Sequence, residues 1–333
     1  MWNASKCDLC GDCLVKCLYV DYDKDKAAGD IRDLMDGKPA AILGKCVTCC
    51  ACSEYCPTGA DPFDLVLKMM EKHKSFPIKP EAVGFFSMAS TVPNQVIEGR
   101  QGKPTLSLCV MEMSLPPDAI GGQLFDGLTI AKGGDYFCYV GYVHAGLETP
   151  LAENARKFID NVARLGNEIV FLHDDCYAMV DAKVKDYGIT VPFKYMHILE
   201  YIRNYLRDNK SKITRLGKKV AYQRPCASRY TPAKDVFVDE IFELIGVERP
   251  KREYEREKAL CCTGAFVKVY PQLAVEYQAK NVDDAVRCGA DALVTLCPMC
   301  DRMLRRPTTE RGLRKIYITD LVRMAMGEKP FPE

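Results

Sequence analysis

Two cysteine runs constrain this chain more than any other feature of it. Cys7, Cys10, Cys13 and Cys17 follow the spacing C-x2-C-x2-C-x3-C, and Cys46, Cys49, Cys52 and Cys56 repeat it, closing on Pro57. At this spacing a tight loop sets three thiolates on three corners of one iron–sulfur cube, while the fourth cysteine opens a helix and reaches the other cube. The expected ligand sets are therefore Cys7, Cys10, Cys13 and Cys56 for one 4Fe–4S cluster, and Cys46, Cys49, Cys52 and Cys17 for a second. Gly11 and Ala51 are small enough to let backbone approach the sulfurs. The first run lacks the closing proline, Leu18 following Cys17, and Cys50 interrupts the second spacing and is read as a bystander. Structural zinc is the alternative, but zinc prefers separate C-x2-C pairs.

Composition narrows the setting. The chain has 18 cysteines in 333 residues, nine of them between Cys7 and Cys56. A hydrophobic content of 48% is enough for a core without disulfide staples. The segment Met1–Cys7 carries no apolar signal region, so a reduced, cytoplasmic setting is expected, where clustered thiols bind metal. Lys and Arg total 46 against 45 Asp and Glu, a net charge of +1 that offers no basic excess for nucleic acid or an anionic membrane. No uncharged apolar run approaches the ~18–20 residues of a membrane span.

Four segments follow from the pattern. Residues 1–75 are the cysteine-dense module, ending in a helix that opens at Asp61-Pro62 and packs Phe63, Val66, Leu67 and Met70 inward. Residues 76–134, with six prolines, read as a linker with short helices and one buried strand around Leu106–Val110, in which Cys109 is a small core residue. Residues 135–210 and 211–333 then alternate strand and helix. The first set is strand Tyr136–Val140, helix Leu151–Leu165, strand Glu168–Leu172 and helices Ala178–Tyr187 and His197–Arg207. The second is strand Lys219–Tyr222, helices Ala233–Ile245 and Gln272–Cys288, strands Ala292–Leu296 and Ile316–Ile318, and helix Thr319–Met326. The expected fold class is α/β: an N-terminal iron–sulfur module followed by two pseudo-repeat lobes with parallel sheets.

The last segment holds a second constellation: Arg224-Pro225-Cys226, Cys261-Cys262-Thr263-Gly264 and Cys297-Pro298-Met299-Cys300, with 34 residues in each gap. Each thiol falls at an element end, where the carboxyl ends of parallel strands share one edge of a sheet. Five thiols are too many for one tetrahedral zinc, and adjacent cysteines rarely both ligate one cube. An unusual cluster is expected, with an ordinary 4Fe–4S or zinc site plus a spare thiol as the alternative. Arg224 and Arg229 flank Cys226 and are read as solvent-facing, the other option being to stabilise an anionic cluster or a substrate carboxylate.

These motifs carry a resemblance. Residues 1–75 resemble bacterial two-cluster ferredoxin modules, which implies two 4Fe–4S clusters relaying single electrons. The second constellation resembles the cysteine-rich CCG domain of the heterodisulfide reductase B and D subunits, thiol–fumarate reductase, and the iron–sulfur subunits of glycolate, lactate and anaerobic glycerol-3-phosphate dehydrogenases. Here Thr263 precedes Gly264, giving C-C-x-G. The resemblance implies a non-cubane four-iron cluster on Cys226, Cys261, Cys262, Cys297 and Cys300, which are then also the reacting centre for splitting a disulfide in one-electron steps.

The first lobe departs from that pattern. His173-Asp174-Asp175-Cys176 stands where Cys297-Pro298-Met299-Cys300 stands in the second; an alternative alignment sets Asp175-Cys176 against Cys261-Cys262. With no adjacent cysteine pair between Cys138 and Cys176, a five-thiol site cannot form there. The lobe is expected to be structural, forming one wall of a substrate pocket; the lesser option is a small metal centre on Cys138, His173 and Cys176, with His144 as fourth ligand. No G-x-G-x-x-G follows a strand and no G-x-x-x-x-G-K-[ST] occurs, so no flavin, nicotinamide or ATP site is expected. Electron pairs must then enter from a flavoprotein subunit within a complex of redox subunits. The expected function is a heterodisulfide-reductase-like iron–sulfur subunit. The alternative is a pure relay between a flavin dehydrogenase, of 2-hydroxyacid or glycerol-3-phosphate type, and a quinone or soluble acceptor.

Overall fold

A computed structural model describes residues 1–76, 80–166 and 168–332. The first part is helical, with α1 (Asp12–Val15), α2 (Lys24–Met35), α3 (Ala51–Tyr55) and α4 (Pro62–His73) and no strand among its described residues. The Asp23 carboxylate caps α2 by accepting from the Lys26 N–H at 2.8 Å. Left-handed residues immediately precede α1 and α3: Gly11 at φ 76° and Cys50 at φ 64°. Gly11 is required there, because a Cβ would lie 3.0 Å from the Lys24 carbonyl oxygen and from Ala27 Cβ. In α4, Phe63, Val66, Leu67 and Met70 are all buried, as the helical spacing predicts.

A five-stranded sheet builds the first lobe. Its elements are α5 (Pro80–Ala89), β1 (Gln95–Ile97), β2 (Thr105–Ser107), β3 (Thr129–Lys132), α6 (Thr149–Ala163), β4 (Glu168–Phe171), α7 (Asp174–Ala178), a π-helical turn Met179–Lys183 leading into α8 (Val184–Asp186), β5 (Lys194–His197) and α9 (Ile198–Asp208). The strand order is β1-β3-β2-β4-β5, antiparallel between β1 and β3 and parallel elsewhere. Two sequence expectations are corrected here. The segment 76–134, read as a linker, supplies β1, β2 and β3; residues 77–79 of it lie outside the described residues. β2 overlaps the buried strand expected around Leu106–Val110, while β1 and β3 are only three or four residues long, so no periodicity announces them. Tyr136–Val140 is not a strand. It passes through 3₁₀ turns at Gly134–Tyr136 and Val140–Ala145, with Tyr139 at φ 60°. Its apolar run reflects burial of Tyr136, Phe137, Cys138 and Val140.

The second lobe contains β6 (Val220–Gln223), α10 (Val236–Ile245), α11 (Pro271–Arg287), β7 (Ala292–Thr295), α12 (Pro298–Glu310), β8 (Arg314–Tyr317) and α13 (Ile318–Ala325). Its sheet is parallel in the order β6-β7-β8. The two lobes superpose in topology: β2-β4-β5 corresponds to β6-β7-β8, and helices α6, α7 and α9 correspond to α11, α12 and α13. The registers agree too. Phe171 pairs with Ser107 and His197, as Thr295 pairs with Gln223 and Tyr317. One apolar core joins the lobes, with Ile198, Ile202 and Leu206 of α9, Ile241, Phe242 and Ile245 of α10, and Leu321 and Val322 of α13 packed together. Among the described residues no helix is long and apolar enough to cross a membrane.

Candidate metal centres

The fold gathers the N-terminal thiols into two groups. Burial, with Cys56, Cys10 and Cys7 as like-charged neighbours, pushes the Cys13 thiol up to about 12. Burial likewise pushes Cys17 up to about 12, with Cys49 beside it, and raises Cys46, whose neighbours are Cys49 and Cys17. A small cavity of about 30 Å³ is lined by all four of Cys17, Cys46, Cys49 and Cys52, with Leu14, Ile42, Phe63 and Val66 closing it. Backbone N–H groups turn toward the sulfurs: Thr48 donates to Cys46 Sγ at 3.4 Å and Ala60 to Cys56 Sγ at 3.4 Å. Thiols packed this closely can ionise together only around a cationic centre, so the donor set and the cradle fit a metal cluster. Cys50 also lines the cavity; it precedes α3, and its thiol donates to the Thr48 carbonyl at 3.7 Å.

At the carboxyl edge of the second sheet five thiols converge. Contact with Cys261 is the main cause raising the Cys226 thiol. Cys261 and Cys300 hold Cys262 down to about 6, against burial. Cys300 holds Cys297 down to about 6, again against burial, with help from His173. Cys297 caps α12, with Pro298 at its first turn, so Cys297 and Cys300 sit at the positive end of a 13-residue helix. Thr263 takes φ 73° and turns its N–H onto Cys261 Sγ at 3.3 Å. Cys261, Cys262 and Cys300 are buried, while Cys226 and Cys297 are partly exposed.

The first lobe holds a third group, which the sequence reading missed in part. Cys109, expected to be a core residue, meets Cys138 and Cys176, and all three sulfurs lie within 4.8 Å of one another. Each is at most 2% exposed. Tetrahedral zinc with Zn–S of about 2.3 Å keeps its sulfurs about 3.8 Å apart, so this trio has the size of a single-ion site. No other group among the described residues is that tight, and the wider spread of the thirteen thiols expected to hold clusters suits a multi-atom centre. His173 lies between the sites, with Nε2 3.9 Å from Cys297 Sγ and Cys138 among its contacts. Its buried Nδ1 has no hydrogen-bond partner. His144 does not join this group; its Nδ1 lies 2.9 Å from the Thr48 carbonyl oxygen.

Residues 220–305 match the family model of the cysteine-rich CCG domain. The matched residues of the second lobe, its CCG domain-like part, hold all five converging thiols. The chain is also similar to the D subunit of the dihydromethanophenazine:CoB–CoM heterodisulfide reductase of Methanosarcina mazei, at 31% identity over 42% of this chain and 36% of that one. The D subunit of the Methanosarcina barkeri enzyme is 26% identical over 56% of this chain and 47% of its own length. The matched segments thus span under half of these relatives. A crystal structure of a hypothetical protein from Helicobacter pylori shares the fold, with a TM-score of 0.59 and 12% identity over 92% of this chain and 64% of that one.

The CCG domain is stitched to the N-terminal module beside its cysteines. The Tyr19 hydroxyl, two residues after Cys17, accepts from the Cys261 N–H at 2.7 Å. Tyr277 donates to the Leu18 carbonyl at 2.6 Å and Tyr55 to the Glu257 carbonyl at 2.8 Å. Arg224 grips Glu54 with two N–H groups at 2.7 and 2.9 Å and meets Asp235 at 2.6 Å. Arg224 and Arg229, expected in solvent, are thus both buried in this seam. An arginine this deep is worth its desolvation only with carboxylate and carbonyl partners, and those come from segments distant in sequence. Repeat register was the available signal for Cys109: it lies two residues beyond Ser107 of β2, where Cys226 lies three beyond Gln223 of β6.

Proposed function

We propose that this chain is an iron–sulfur subunit of a heterodisulfide-reductase-like complex. The N-terminal sets Cys7, Cys10, Cys13, Cys56 and Cys17, Cys46, Cys49, Cys52 each hold a 4Fe–4S cluster. Cys226, Cys261, Cys262, Cys297 and Cys300 hold a further four-iron assembly, and the first-lobe trio with His173 holds a single zinc-type ion. When bound, the assembly in the CCG domain supplies one-electron reduction of a disulfide, which in sum takes two electrons and two protons and yields two thiols. A flavoprotein subunit is the donor this reading calls for.

The chain's own residues serve that reading in distinct ways. Tyr19 and the Cys17–Tyr19 backbone join the second N-terminal set to Cys261 through one hydrogen bond, a direct route between them. Phe266, Ala274 and Tyr55 pack around Cys49 and Cys261 and keep water from that junction. The single observation that carries the reading is the meeting of five thiols at one strand edge, within a matched CCG domain, next to the thiols of the N-terminal module.

A pure relay is the second reading, favoured by the burial of Cys261, Cys262 and Cys300; the partial exposure of Cys226 and Cys297 favours substrate access. Iron and acid-labile sulfide analysis of anaerobically purified protein is expected to give about twelve irons per chain. A count near eight removes the cluster from the CCG domain. EPR during titration with thiol is expected to reveal a signal that requires thiol; its absence at full iron loading leaves the relay.

A further inference from the structure

We propose that Arg229 sets the redox poise between the second N-terminal thiol set and the five-thiol site of the CCG domain. This rests on the iron–sulfur reading above. Arg229 stands three residues after Cys226, in the 3₁₀ segment Cys226–Tyr230, and its side chain is 1% exposed. The guanidinium is fixed on several sides. It donates to the Ala259 carbonyl at 2.6 Å and the Glu257 carbonyl at 3.4 Å, both on the strand of chain leading to Cys261, and to the Cys49 carbonyl at 3.4 Å across the seam. Its Nε is 3.4 Å from Glu54.

Two arginines here face two carboxylates, but not equally. Arg224 takes Glu54 through both oxygens and Asp235 as well. Arg229 has only the longer contact to Glu54, and its other N–H groups meet neutral carbonyls. Arginine stays charged in proteins. A buried cation so placed requires anionic charge nearby, and Cys49 and Cys226 are the thiols it faces. Thiolate-ligated clusters are anionic, and a fixed positive charge beside one in a water-poor seam favours the electron's arrival. Glu54, on α3 between Cys52 and Cys56, opposes that effect. The charged groups that bear most on Arg229 include none of Cys7, Cys10, Cys13 and Cys56, so that set serves as the internal control.

The test is EPR-monitored redox titration of the full chain, purified anaerobically, as wild type, Arg229→Met, Arg229→Lys and Glu54→Gln, with signals assigned by their loss in Cys49→Ser and Cys13→Ser. Arg229→Met is expected to make reduction of the Cys49 cluster at least tenfold harder, a fall of about 59 mV for a one-electron couple. Arg229→Lys should stay within threefold of wild type, Glu54→Gln should shift the same couple in the opposite sense, and the Cys13 cluster should not move. Iron-replete Arg229→Met protein with all couples within threefold of wild type, or with all shifted alike, overturns the proposal. If Arg229→Met does not retain iron, Glu54→Gln decides, and an unmoved Cys49 couple there overturns it. Wild-type protein free of iron and sulfide would instead sink the iron–sulfur reading itself.

Discussion

The two lobes carry the same strand order and the same register but different sulfur at their edges. In the CCG domain the edge presents Cys226, the pair Cys261-Cys262, Cys297 and Cys300. In the first lobe the matching places are filled by Cys109, the pair Phe137-Cys138, His173 and Cys176. The match is local as well as topological: Cys262 and Cys138 are each followed by a left-handed residue, Thr263 at φ 73° and Tyr139 at φ 60°. His173 and Cys297 each cap the next helix. A backbone that can gather five thiols is therefore present twice, and two side chains, Phe137 and His173, reduce the first copy to a compact trio. The sheet supplies position, while residue identity at those positions decides whether five thiols or three gather there, and on the proposed function whether a four-iron assembly or a single ion is held.

The largest effect should come from removing the equivalent cysteine in each lobe. Cys262→Ala is expected to lose about four of about twelve irons and the whole thiol-dependent EPR signal. Cys138→Ala should leave both untouched and remove about one zinc per chain. Metal analysis by mass spectrometry beside EPR reads all of these. Equal iron loss from the two variants would break the contrast between the lobes. The converse sharpens it: Phe137→Cys with His173→Cys should raise the iron count of the first lobe after anaerobic reconstitution.

Much of the chemistry was legible in the sequence because it is local. The spacings within Cys7–Cys17 and Cys46–Cys56 fix which thiols share a loop, and the fold brings those loops together. In the CCG domain Cys226 follows β6 and Cys297 and Cys300 lie where Pro298 opens α12, as the element ends predicted, whereas Cys261 and Cys262, expected just before a helix, lie in irregular chain well ahead of α11 and were legible only from the adjacent-cysteine motif. Cys109 was not, since its partners lie far along the chain and its own neighbours, Leu106, Leu108 and Val110, read as core. The seam was equally hidden. Arg224 meets Glu54 across 170 residues, and Lys183 meets Asp64 across 119. Charge alone puts such side chains at the surface, and only the assembled fold supplies their partners.

The N-terminal module meets the two lobes differently, and this gives the next effect. Toward the CCG domain the contacts are tyrosine hydroxyls and the Arg224–Glu54 ion pair, whose carboxylate is 16% exposed and also meets Arg229. Toward the first lobe the contact is a buried ion pair, Lys183 Nζ at 2.8 and 2.9 Å from both oxygens of Asp64, with the Tyr230 ring 4.7 Å away. Lys183→Met leaves Asp64 buried with only the Met1 amino group, 3.1 Å away, to offset its charge and is expected to cost about 3 kcal/mol. Lys183→Met with Asp64→Asn should recover most of the loss, because the uncompensated charge goes too. Anaerobic urea denaturation measures both. A loss below about 1 kcal/mol in the single variant, the range of an exposed pair, would remove Lys183–Asp64 as a tie between the module and the first lobe.

The smallest effect separates the lobes by pH. His197 ends β5 where Tyr317 ends β8, both paired to the residue two before the next edge ligand. Burial holds His197 down at about 3, although Asp174 beside it pulls the other way. Its Nδ1 accepts from the Leu199 N–H at 3.2 Å and must stay unprotonated to do so. In the unfolded chain histidine titrates near 6.5. Between these values the unfolded state binds the proton and the folded state does not, so stability is full above about pH 6.5 and falls as the pH drops toward 3. At pH 5 the loss is about 2 kcal/mol. Asp174, held below the usual carboxylate range by Lys234, His197 and Ser228 despite its burial, adds a loss of the same sign at still lower pH. Tyr317 carries no charge in this range, so the equivalent place in the CCG domain contributes none. His197→Gln should therefore narrow the stability difference between pH 7 and pH 5 by about 2 kcal/mol relative to wild type. The comparison is made as a difference between variants at each pH, which cancels any acid sensitivity of the clusters themselves. Parallel pH dependence in the two proteins would remove His197 as the acid-sensitive element of the first lobe.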